Sequence, residues 1–189
     1  CRGTGAYRCA ASQTATECNI SAPGAAPAAE TCDGADNDCD GLVDESFANP
    51  GTNPSYVQDD LVTITVAGSP VKVYQHEASR PTATTISEGT GSEVRACSRT
   101  NVMPWSKVTE AQAEMACKAA GMELCSDVEW TEACDGSGTT NAYPYGGTYV
   151  TTTCNGRDAA QASTRPTGTY ASCVSGGWGI NDLSGNLRE

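Results

Sequence analysis

The densest chemistry in the chain lies in the fourteen residues Cys32-Asp-Gly-Ala-Asp-Asn-Asp-Cys-Asp-Gly-Leu-Val-Asp-Glu45. Asp36, Asp38 and Asp40 alternate, Gly41 follows, and Asp44 and Glu45 close the run. Six carboxylates this close repel one another unless a cation neutralises them. Calcium takes six to eight oxygens in a flexible shell, and this spacing supplies them. The expected ligands are the carboxylates of Asp36, Asp38 and Asp40, the carbonyl of Leu42, and a closing acid, Asp44 or Glu45. A glycine is needed at 41 because the backbone must fold back over the ion. Magnesium demands stricter octahedral geometry, and copper or zinc wants nitrogen or sulfur. Residues 1–48 hold no histidine or methionine. The short Cys32–Cys39 spacing suggests a cross-link that would pre-organise the loop.

The rest of the composition narrows what surrounds this loop. The chain has 189 residues, 11 cysteines and a net charge of -12. Such an acidic chain repels phosphate backbones, so no nucleic-acid partner is expected. No apolar run approaches the roughly 18 residues of a membrane helix, so no membrane span is expected. The single histidine, His76, disfavours Ser-His-Asp and Cys-His catalysis. No cysteines are spaced C-x-x-C, so the set reads as disulfides in an oxidising, extracellular setting. An odd count leaves at least one thiol over or paired outside the chain.

The elements that must position these residues are of two kinds. Residues 1–48 carry five cysteines and eight acids, and read as loops and short turns, a Cys-rich metal-binding repeat. A linker runs through Ser21–Glu30, rich in Ala and Pro, and a spacer over 49–60 marks the main boundary. Beyond it, Leu61–Val66 alternates and is β-branched, which predicts a strand. Val71–Tyr74 predicts a second after a Gly-Ser-Pro turn, 79–101 reads as a polar loop, and Thr148–Thr153 is a further strand candidate. Thr109 with Gln112, and Ser126 with Glu129, form capping boxes that start two helices. Gly121 stops the first, whose face is Ala113, Ala116, Cys117 and Ala120. Trp130, Ala133 and Cys134 share a face of the second. The fold class is α+β: a small disulfide-rich calcium-loop module on 1–48, then a domain on 61–189.

Two resemblances follow from these strings. Residues 32–45 resemble the C-D-G-x-D-N-D-C-D-G-x-x-D-E metal-binding repeat of secreted bacterial proteins, and are similar to the calcium-binding aspartate loops of thrombospondin type 3 repeats. Further along stand Val73–Pro81, Pro104–Thr109, Ala116–Trp130, Tyr143-Pro-Tyr-Gly146, Cys154-Asn-Gly156, Arg165–Tyr170 and Gly179–Glu189. This ordered set resembles the formylglycine-generating enzyme, or sulfatase-modifying factor, family. That resemblance implies a variant of the C-type lectin fold. It also implies structural calcium ligands at Asn155, Asn186 and Glu189.

The family's copper-binding cysteine pair belongs to a C-terminal third that would follow Glu189, and Arg188 stands where the family commonly has tryptophan. The resemblance therefore implies a fragment, with Cys117 and Cys134 paired to cysteines in that missing third. The functional expectation is a secreted, non-catalytic, calcium-stabilised surface module for adhesion, filament-like assembly or ligand binding. Its expected partners are a carbohydrate or peptide, another extracellular protein, or a second copy of itself. The alternative is a truncated copper oxidase of the formylglycine-generating kind, with its catalytic cysteines beyond the chain end.

Overall fold

The computed structural model describes residues 4–9, 16–22, 26–45, 57, 59–90, 95–136, 141–159 and 163–187, the first two segments by backbone alone. Helices and strands are both present, in separate stretches of the chain. Cys1, Phe47, Arg188 and Glu189 lie outside the described residues.

The amino-terminal segment is not all loop. Strands β1 (Thr4–Cys9) and β2 (Thr16–Ala22) pair antiparallel, with Tyr7 opposite Cys18. Their mixed polar and small residues lack the apolar alternation that marks a half-buried strand. The second strand also takes the first two residues of the expected linker.

The next pair carries the main core. β3 (Leu61–Val66) and β4 (Ser69–Tyr74) form a hairpin in which Val62 faces Val73 and Ile64 faces Val71. The turn is Ala67-Gly68, with φ of 49° and 84°. Two left-handed residues match the twist of a two-residue hairpin, so the second strand starts earlier than a Gly-Ser-Pro turn would allow. Ile64, fully buried, packs with Val73, Ala133 and Ile180, flanked by Val62, Val66, Val71, Trp178 and Leu183. Burying one such side chain contributes about 2–3 kcal/mol.

Both capped helices form. Helix α1 (Glu110–Ala119) starts at Thr109, whose side chain accepts from the Gln112 N–H while Gln112 returns the bond. It ends in a Schellman turn: Met122 N–H donates to the Cys117 carbonyl, and Gly121 N–H to that of Lys118. Gly121 holds φ 70°, which suits a residue without a side chain. Helix α2 (Asp127–Asp135) has the matching box from Ser126 and Glu129, and ends at Gly136. Ala116, Ala120 and Ala133 are buried, on the faces their spacing predicts. Trp178 ties α2 down, its Nε1 donating to the Glu132 carbonyl at 3.2 Å.

Two expectations need correction. Thr148–Thr153 forms a bend and a turn rather than a strand, and no strand among the described residues pairs with it. The 79–101 stretch is mostly loop but is closed by a short pair, β5 (Ala78–Ser79) with β6 (Cys97–Ser98). Inside it, Arg99 Nη2 donates to the carbonyls of Arg80, Pro81 and Ala83. No helix among the described residues is long and apolar enough to cross a membrane.

Candidate metal centre

Cys32 bonds to Cys97, not to Cys39, and Cys39 is in a different disulfide. The Cys32–Cys39 cross-link is thus corrected: the bond reaches across 65 residues, from the acidic loop to β6. Closing a loop of that length stabilises a fold by about 4 kcal/mol in the chain-entropy account. Buried Arg95 braces the junction, donating from Nη1 to the Cys32 sulfur and the Ala96 carbonyl, and pairing through Nη2 with Asp59 at 2.7 Å. A second disulfide joins Cys154 to Cys173. Cys117 is a thiol, so it is not bonded to Cys134.

Within the loop, aspartates accept backbone N–H groups two residues ahead and so wrap the chain. Asp33 accepts from Ala35, Asp38 from Asp40, and Asp40 from Leu42, at 2.9, 3.1 and 2.8 Å. Gly41 holds φ 98° and donates its N–H to Asp36 at 3.2 Å. A Cβ at Gly41 would meet nothing within 4 Å. Conformation, not crowding, therefore calls for glycine there.

The expected ligands divide. Oxygens of Asp36, Asp38 and Asp40 lie within 4.8 Å of one another. Oxygens of Glu30, Asp38 and Glu45 form a second group at the same range. Two unit charges that close repel by about 3 kcal/mol at the effective dielectric of a protein. Burial, then the charges of Glu30, Asp40 and Asp38, push the Glu45 carboxyl above its ordinary value. Asp44 turns the other way. It is 5% exposed and accepts the Asp33 and Gly34 N–H groups, both at 2.9 Å. Leu42 has an exposed side chain.

Glu30 went unnoticed in the sequence, where it ends an Ala- and Pro-rich stretch. It is 1% exposed, and Oε1 accepts from Asn37 and Asp38 N–H at 2.7 and 2.8 Å. The signal that could have found it is a lone carboxylate two residues before Cys32. Oε2 of Glu30 and both carboxylate oxygens of Glu45 are buried and accept no hydrogen bond.

The other implied ligands meet elsewhere. Asn155 and Asn186 are neighbours: Asn155 Nδ2 donates to Asn186 Oδ1 at 2.9 Å. The same oxygen accepts from Arg165 N–H, while Asn186 Nδ2 donates to Glu77 and to the Arg165 carbonyl. Glu189 lies outside the described residues.

The match to known proteins covers the larger part of the chain. Residues 55–189 match the model of the sulfatase-modifying factor enzyme 1-like domain. No curated protein and no solved structure matches the chain. The chain belongs to the family of sulfatase-modifying factor enzyme 1-like domains.

Proposed function

We propose that this chain is a secreted, non-catalytic module in which calcium, held by the acidic loop of residues 30–45, stabilises a lectin-like scaffold for adhesion, assembly or ligand binding. The observation that carries the cation is the group of buried glutamate oxygens beside Asp38 that accept no hydrogen bond. Oxygen-only donors favour a hard ion, and the extracellular setting that suits disulfides is rich in calcium. The non-catalytic reading draws on the thiols: burial pushes the Cys117 thiol up, the opposite of what a thiolate nucleophile or copper ligand needs.

The test is thermal unfolding of the whole chain, disulfides intact, in calcium and in chelator. Calcium at about 100 times its Kd should raise the melting temperature by roughly 5–10 °C. No shift at millimolar calcium, or a larger shift with copper together with loss of titratable thiol, sinks the reading.

A further inference from the structure

The acidic loop offers a cation two places that share Asp38, one outside and one inside. We propose that the ion sits inside, on Glu30, Asp38 and Glu45, and that Glu30 is the ligand joining the preceding segment to the loop. This rests on the calcium reading and deepens it.

The outer group is Asp36, Asp38 and Asp40, with Asp40 exposed to solvent. One oxygen of each is engaged by the loop's own backbone, through the N–H groups of Gly41, Asp40 and Leu42. Asp40 is open to water, and the one buried oxygen of this group that accepts no hydrogen bond is Asp36 Oδ1. The inner group has three such oxygens. Glu30 is locked by two backbone donors on Oε1, which leaves Oε2 fixed, buried and without a donor. Glu45 contributes two more buried oxygens without donors. A carboxylate can only accept, so three such oxygens against a third acid call for a positive charge. Two free oxygens on Glu45 allow bidentate ligation, as calcium prefers from the closing acid of a loop. The nearest sulfurs are taken, since Cys32 and Cys39 are in disulfides, which leaves an all-oxygen donor set.

Calorimetric titration of the full chain with calcium chloride, for wild type, Glu30→Gln, Glu45→Gln and Asp40→Asn, decides the placement. Glu30→Gln and Glu45→Gln should each weaken binding roughly tenfold or more, and Asp40→Asn by less than about threefold. The Glu45 carboxylate accepts no hydrogen bond from another residue, so Glu45→Gln removes repulsion and breaks no tie to the rest of the loop. Its melting temperature in chelator should equal or exceed that of wild type. A lower value there marks a structural role and overturns the ligand assignment. Asp40→Asn weakening binding as much as the two glutamate variants moves the ion outward and overturns the inner site, while the calcium reading stands. Wild type that binds no calcium defeats both.

Discussion

Two loop-rich regions of this protein balance their polar groups in opposite ways. Around Asn186, amides and one carboxylate complete one another. Asn186 donates to Glu77 and the Arg165 carbonyl and accepts from Asn155 and Arg165, and Glu77 also accepts from Leu187 N–H. In the acidic loop, Glu30 and Glu45 keep buried acceptors that no donor reaches. The difference is chemical stoichiometry. An amide brings donors and acceptors and can close a network alone, whereas a cluster of carboxylates brings acceptors only. Similar loop textures can therefore be self-sufficient in one place and, on the proposed reading, call for a cation in another.

The contrast can be broken most severely at the bond that anchors the acidic loop to β6. Replacing Cys32 and Cys97 together by serine should lower unfolding stability by about 4 kcal/mol, read by denaturant titration. It should also weaken calcium binding, because the loop loses its anchor on β6. If calcium binding is untouched, the loop is organised without the domain.

Next in size is Ile64→Ala in the β3–β4 core, expected to cost about 3 kcal/mol. The loss should be the same in calcium and in chelator. A calcium-dependent loss would mean that core and loop are one cooperative network.

Asp44→Ala removes the acceptor of two backbone N–H groups and should cost about 2 kcal/mol. Equal loss with and without calcium fits a clamp that does not touch the ion. A loss confined to the calcium-loaded protein puts Asp44 among the ligands.

The smallest effect concerns pH in the self-sufficient half. His76 is buried, its Nδ1 accepts and donates nothing, and Asp60 stands 3.7 Å from Nε2. Burial outweighs that carboxylate and holds the imidazole below its ordinary 6.5. The native state therefore binds fewer protons than the unfolded one, and stability present above pH 6.5 is lost as pH falls through the native value. His76→Asn should flatten that slope in melts between pH 7 and about 5. An unchanged slope assigns the pH response to other groups.

What could be read in advance was local. The pairs Thr109–Gln112 and Ser126–Glu129 act within one helical turn, so spacing alone announces them. Alternation in Leu61–Val66 announces a face, and that face is where the core lies. Asp36, Asp38 and Asp40 do come together as their spacing implied. What escaped was set by distant partners. Cys32 could choose among ten other cysteines, and its actual partner sits beyond a hairpin and a long loop. Thr148–Thr153 has the side chains of a strand but pairs with none among the described residues. Glu30 looked like linker because its role depends on where Asn37 and Asp38 point their N–H groups.

The Cys32–Cys97 bond also decides how the molecule would bear tension. A pull on the two ends runs through the sulfurs, and since Cys39 is held in a second disulfide, the stretch bypassed is residues 40–96. Roughly 190 Å of contour length then stays slack while the bond is intact. The β3–β4 hairpin and the loop after Cys39 lie within that bracket, whereas α1 and α2 lie outside it and take the load. Reduction of one bond would turn the shielded stretch into extensible chain.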